Sequence, residues 1–119
     1  MQGGRVVTVV ADLAGEVVAE LIEESAGLRS CAVIDEHGEV LAATDERAWA
    51  PQAERLWRAA ADPAASDPAY VHVAIDAGEL FAVRDERFTV LGIADRFSLA
   101  SLILCDLRAA LRRLEPAPA

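Results

Sequence analysis

Phe88-Thr89-Val90-Leu91-Gly92-Ile93-Ala94 is an unbroken apolar run rich in β-branched residues. Asp95-Arg96-Phe97-Ser98 interrupts it, and then Leu99, Ile103, Leu107, Ala110 and Leu114 recur at helical spacing, with Leu102 and Leu111 widening the stripe. The stretch reads as one strand followed by one helix. It is the most apolar part of the chain and should form the centre of the core. Along the strand, Val90, Gly92 and Ala94 face one way and Leu91 and Ile93 the other. Both sets are apolar, so helices are expected on both sides of the sheet. Gly92 and Ala94 lack bulk, which should let one helix approach closely.

Working outward, Tyr70 to Ile75 and Glu79 to Arg84 read as two further strands. Ala77-Gly78 and Asp85-Glu86-Arg87 supply the turns of a three-strand meander. Residues 49–61 read as a short helix. Pro51 suits its first position, and Ala53, Leu56, Trp57 and Ala60 share a face. Asp62-Pro63 should stop it, with a loop from Ala64 to Pro68. Residues 30–44 read as a hairpin: Ser30 to Ile34, a turn over Asp35-Glu36-His37-Gly38, and a return through Val40-Leu41-Ala42-Ala43. The first helix lies within residues 5–26. Leu13, Val17 and Leu21 form its apolar stripe, and Glu16, Glu20, Glu23 and Glu24 its opposite face. Asp12 suits an N-cap and Gly27 a residue just past the C-terminus. Val6 and Val10 extend the stripe backwards and favour a start near Arg5, although five β-branched residues in a row also fit a short strand or a partner-contacting arm. The element order is αββαβββα, an α/β (α+β) arrangement in which the short turns make neighbouring strands antiparallel.

Composition narrows the function classes. The chain has 119 residues, of which 54% are hydrophobic, and a net charge of −9. This suits one domain of about 100–150 residues with a true core. The acidic balance argues against nucleic acid and against anionic membrane, both of which need a basic footprint. All 11 basic residues are Arg, and Lys and Asn are absent. A P-loop lysine and a Schiff-base lysine are thereby excluded, and the composition matches a high-GC bacterial genome. No targeting segment is visible. With two Cys and no signal sequence, a cytoplasmic protein with free thiols is expected.

The segment Ala26-Gly27-Leu28-Arg29-Ser30-Cys31-Ala32-Val33-Ile34-Asp35, leading to Gly38-Glu39-Val40-Leu41-Ala42, resembles the Roadblock/dynein light-chain family. So does the strand Thr89 to Ala94 followed by a Leu-rich helix ending near Leu107-Arg108. The resemblance spans about residues 13–114. It divides the chain into an N-terminal segment (1–12), a Roadblock-like domain (13–114) and a disordered tail (115–119). It implies a five-stranded antiparallel sheet with the first and last helices on one face and the middle helix on the other. It also implies homo- or heterodimers formed through the middle helix and the first meander strand, and a non-enzymatic role in scaffolding or regulating a small Ras-like GTPase. The middle helix departs from the family pattern, being short, beginning at a Pro and carrying Trp49 and Trp57.

Individual residues offer little catalytic chemistry. Cys31 and Cys105 fall on core elements and are expected as inert buried thiols. His37 lies in a turn and His72 on the first meander strand, with no ligand cluster around either. Asp76, Glu79, Asp85 and Glu86 flank turns, where acidic residues are common anyway. Gly3-Gly4 follows no strand, and no GxGxxG occurs. No cofactor or metal is expected, and the chain is not expected to be an enzyme. Trp49, Leu56 and Trp57 on the middle helix are the candidates for a dimer or partner interface, because Trp is enriched at hot spots. Tyr70 and His72, on a strand that the resemblance leaves at a sheet edge, should lie close by. Glu16, Glu20 or Glu23 on the first helix should pair with Arg108, Arg112 or Arg113 on the last. Two other functions fit the residues less well: a GAF/PAS-like small-ligand sensor, which needs a cavity where Leu91, Ile93 and Leu107 should fill the space, and a purely structural dimerisation unit.

Overall fold

The computed structural model describes residues 2–60 and 69–115. The expected helix stop at Asp62-Pro63, the loop to Pro68 and the tail after Glu115 lie outside those residues. Eight elements follow one another as α1 (Gln2–Glu24), β1 (Leu28–Asp35), β2 (Val40–Ala43), α2 (Trp49–Ala60), β3 (Tyr70–Ile75), β4 (Gly78–Arg84), β5 (Phe88–Ala94) and α3 (Ala100–Arg113). The strands form one sheet in the order β2-β1-β5-β4-β3, with every neighbour antiparallel. The expected order and strand count are met, and β5 is central as its two apolar faces required.

Parity on β5 sorts the core into two layers. Val90 and Ala94 pack with Val17, Leu21, Ile103 and Leu107 beneath α1 and α3. Leu91 and Ile93 pack with Trp49, Ala53 and Leu56 beneath α2. Leu107 therefore lies on the opposite face from Leu91 and Ile93, not around one site with them. Gly92 also differs from expectation. A Cβ there would meet Leu28 Cδ1 at 2.7 Å and the Ser30 carbonyl at 3.1 Å, so the small residue accommodates the neighbouring strand β1 and not a helix.

The turns follow their side chains. Asp35 Oδ1 accepts the amides of His37 (2.9 Å) and Glu39 (3.0 Å), and Gly38 takes φ +82° to close the β1–β2 hairpin. Asp85 Oδ1 does the same for Arg87 (2.8 Å) and Phe88 (2.9 Å). These are Asx-type turns in which the carboxylate stands in for a backbone acceptor. At the other end of the sheet the Asp95 amide donates to the Gly27 carbonyl (2.9 Å), tying the start of the β5–α3 loop to the α1–β1 turn.

Several local expectations are corrected. α1 begins at Gln2, close to the early start that the backward extension of its stripe favoured, so Asp12 is an exposed mid-helix residue and not a cap. Pro51 is the third residue of α2, still within the first turn, where no intrahelical amide bond is lost. On α3 the stripe from Ile103 through Leu107 and Ala110 to Leu114 is buried, but Leu99 (64%) and Leu102 (59%) are exposed, as is Phe97 (98%). Cys105 is exposed too, whereas Cys31 is buried as expected. The pairing of first and last helices is realised by Glu20 with Arg113, next to a 2.7 Å hydrogen bond from Ser25 Oγ to Asp106. Among the described residues, no helix is long and apolar enough to cross a membrane.

Candidate partner-binding surface

Among the described residues α2 is the one helix on its side of the sheet, and its two tryptophans have different roles. Trp49 is 1% exposed. Its Nε1 donates to the Asp45 carbonyl at 3.2 Å, and Arg47 lies 5.3 Å from its ring centroid. Arg47 in turn grips the Asp45 carboxylate through Nε (2.9 Å) and Nη2 (2.8 Å), and these bonds hold that carboxyl below the usual carboxylate range. Trp49 thus anchors the start of α2 against its own chain. Leu56, two turns further along the helix, is buried in the same layer.

Trp57 is only half-buried. The Arg84 guanidinium stacks 4.0 Å from its ring centroid, a cation–π contact that joins α2 to the end of β4. Its indole Nε1 is shielded from solvent yet meets no acceptor among the described residues. Buried polar groups are nearly always paired, so this donor stands out. Trp57 lines an open groove of about 600 Å³ bounded by α2 and the β1–β2 and β4–β5 turns.

β3 is an edge strand: among the described residues no strand pairs with its outer side. Its alternation places Val71, Val73 and Ile75 toward α2. Tyr70 and His72 pair in register with Val83 and Phe81, which belong to the α1/α3 layer. The five candidate residues therefore do not form one cluster, contrary to the expected proximity. Trp49, Leu56 and Trp57 lie on one face of the sheet, and Tyr70 and His72 on the other, with only the β3 edge between them.

On that second face Tyr70 is 51% exposed, with Arg108 of α3 5.1 Å from its ring. Arg108, expected as a partner for α1, is thus directed to the edge strand instead. His72 stacks on Phe81 at a centroid distance of 4.1 Å and an interplanar angle of 11°. Its Nε2 lies 3.1 Å from Glu79 Oε1, while Glu79 Oε2 is buried without a partner among the described residues. Phe81 is fully covered, so His72 serves as its lid.

Chemistry beyond binding is sparse. Burial, reinforced by the Asp45 carboxylate, pushes the Cys31 thiol up to about 12, and this keeps it protonated and unreactive. Among the described residues, no three His, Cys, Asp or Glu side chains are placed to hold a metal ion. Two features escaped the sequence reading. Arg84 sits in a strand-turn-strand segment and carries no mark of its contact with Trp57. Phe97 takes φ +67°, which a loop of common residues does not announce.

Comparison with known proteins settles the architecture. No family model and no curated protein sequence matches the chain. Solved structures do. A Roadblock/LC7 domain from Streptomyces avermitilis superposes with a TM-score of 0.73 at 15% identity, over 85% of this chain and 93% of that one. The fold is that of a Roadblock/LC7 domain. The gliding protein MglB from Thermus thermophilus shares this Roadblock fold with a TM-score of 0.66 at 19% identity, covering 88% of this chain and 87% of its own. An MglB with a tetrameric arrangement matches at 0.64 and 20% identity, over 92% and 93%. The short α2 and its two tryptophans sit within this Roadblock frame without disturbing the strand order.

Proposed function

We propose that this chain is a non-enzymatic binding module that pairs with itself or with a paralogue through α2 and β3, and that the pair regulates or scaffolds a small Ras-like GTPase. The observation that carries the reading is β3. It is a six-residue edge strand whose outer side no strand pairs among the described residues, and its side chains alternate half-buried and exposed along its whole length. Such an edge invites pairing with another strand unless it is blunted by charge, proline or a bulge, and Tyr70 to Ile75 contains none of these. Trp57 and the β3 residues Val71 and Val73 then offer apolar area on one face, and Tyr70 and His72 on the other. Trp49 and Leu56 support α2 from within. A structurally similar MglB has a tetrameric arrangement, which supports self-association of this fold.

Two measurements test the proposal. Size exclusion with light scattering should give twice the mass of one chain at micromolar concentration, and a monomer would remove the paired surface. Calorimetry with a small GTPase encoded nearby, loaded in turn with GDP and with a non-hydrolysable GTP analogue, should show binding in at least one state. Heat in neither state, with a normal dimer, would leave a purely structural dimerisation unit as the reading.

A further inference from the structure

The outer edge of β3 can be resolved group by group. The Arg84 amide donates to the Ala69 carbonyl at 2.9 Å, which makes these two residues a hydrogen-bonded pair at the start of the β3–β4 ladder. The ladder then runs without a shift from Tyr70↔Val83 to Ile75↔Gly78. Bonded and non-bonded pairs alternate along an antiparallel ladder, so Val71, Val73 and Ile75 direct their backbone groups to β4, and Tyr70, His72 and Ala74 direct theirs away from it. Among the described residues no strand meets those outward groups.

A second copy can meet them by antiparallel pairing about a two-fold axis. Directly opposed residues lie on the same face of a sheet, so the axis must pass through a residue position and not between two. With the axis at His72, Tyr70 opposes Ala74 of the second copy, His72 opposes its own equivalent, and Ala74 opposes Tyr70. Each bonded pair exchanges two bonds, so these three pairs satisfy every outward group of β3. With the axis at Val71 or Val73, only two such pairs form, and Ala74 or Tyr70 is left without a strand residue opposite.

The side chains agree with the first register. Toward α2, Val71 opposes Val73 of the second copy on both sides of the axis, which carries the apolar layer of Val71, Val73 and Ile75 across the junction. On the reverse face Tyr70, which is 51% exposed, opposes the small Ala74. The two His72 rings meet at the axis, each stacked on its own Phe81 at 4.1 Å and 3.1 Å from its own Glu79. Tyr70 to Ile75 contains no carboxylate, arginine or lysine, so no such charge on the strand opposes its like.

We propose that the partner at this edge is a second copy of the chain, paired antiparallel through β3 with His72 at the two-fold axis. The inference rests on the reading of β3 as a pairing edge, and adds to it the identity of the partner and the register.

Disulfide trapping tests it. In a Cys105→Ser background, chains carrying Val71→Cys are mixed with tagged chains carrying Val73→Cys and then oxidised. Opposed residues of a non-bonded pair lie about 4.5 Å apart at Cα, within the range of about 4.4–6.8 Å that a disulfide accepts. The mixture should give a linked mixed dimer. Either chain alone should link about tenfold less, because its own equivalent is displaced by two residues, about 7 Å along the strand. Tyr70→Cys mixed with Ala74→Cys, both at exposed positions, should behave alike and carries the test if a valine variant fails to fold. Linkage of Val71→Cys or of Val73→Cys to itself would overturn the register. Ala74→Pro removes an outward N–H and no bond to β4, so the chain should keep its circular dichroism spectrum while association weakens about tenfold or more. Unchanged association would also overturn the register. Light scattering on the same samples separates the two readings: a dimer that links in neither mixture sinks the register alone, whereas a monomer sinks the pairing through β3 itself.

Discussion

Two helices, α1 and α3, press a continuous apolar layer from Val10 to Leu114 onto one side of the sheet, whereas on the other side, among the described residues, the short helix α2 holds down Leu91 and Ile93 with Trp49, Ala53 and Leu56. The first side is closed: Val17, Phe81, Val90, Ile103 and Leu107 have essentially no exposed surface. The second leaves Trp57 half-covered beside an open groove and keeps one donor unmatched among the described residues. The difference separates tasks. A sheet buried by two helices needs no partner to be stable, so the thinly covered side is free to carry recognition. Stability and association should then respond to different substitutions.

The largest effect follows from the closed side. Leu107→Ala removes a fully buried side chain among tightly packed neighbours and should cost about 2–5 kcal/mol in urea unfolding. Trp57→Ala removes a larger but half-exposed side chain, so its cost should be clearly smaller, while the monomer–dimer equilibrium measured by dilution shifts toward monomer. If Trp57→Ala proves as destabilising as Leu107→Ala with no change in association, the division between the two faces is wrong.

How far the two sides were legible in the sequence differs in the same way. The closed side announces itself, because β5 and α3 carry uninterrupted apolar periodicity, and the meander, hairpin and helix order follow from turn residues at short spacing. The α2 side was legible as a short amphipathic helix with two tryptophans, but periodicity does not say which ring is swallowed. That depended on Asp45 and Arg47, whose grip fixes the start of α2. The misplacement of Tyr70 and His72 was avoidable. Val71, Val73 and Ile75 are the apolar parity of β3 and had to face the layer that covers them, which leaves Tyr70 and His72 on the reverse. Leu99 and Leu102 could not be assigned by spacing. Leu99 precedes the first turn of α3, and Leu102 shares the outward side of the helix with the exposed Cys105 and Ala109.

A mid-sized effect concerns pH. Cys31 belongs to the closed layer, and its thiol rises from an ordinary 9.0 to about 12 by burial. Above pH 9 the unfolded chain releases that proton while the folded chain keeps it, so the folded state binds more protons and loses stability as pH climbs toward 12. The contribution is fully present below pH 9. Cys31→Ala, despite its small cavity, should flatten this alkaline decline. In the native protein at neutral pH a thiol reagent should modify Cys105, which is exposed, and reach Cys31 only after unfolding. Reaction of both thiols at the same rate would mean that the layer beneath α1 opens readily and is not closed as described.

The smallest effect tests whether charge across the top of the closed side matters at all. Glu20 and Arg113 form an ion pair between α1 and α3, both partly exposed. Exposed pairs of this kind contribute about 0–1 kcal/mol, because solvent screens them and two long side chains must be held in place. Arg113→Glu should lower stability by no more than about 1 kcal/mol, and by less at high salt. Arg112, one residue earlier, lies exposed and makes no such bond to α1 among the described residues, so Arg112→Glu should leave the melting temperature where it was. Equal shifts from both reversals would assign the effect to the general field of a chain with net charge −9. A shift from Arg113 alone would show that the two helices are registered by a specific contact. The apolar layer beneath them, which carries most of the stability, would be unaffected in either case, because neither arginine reaches it.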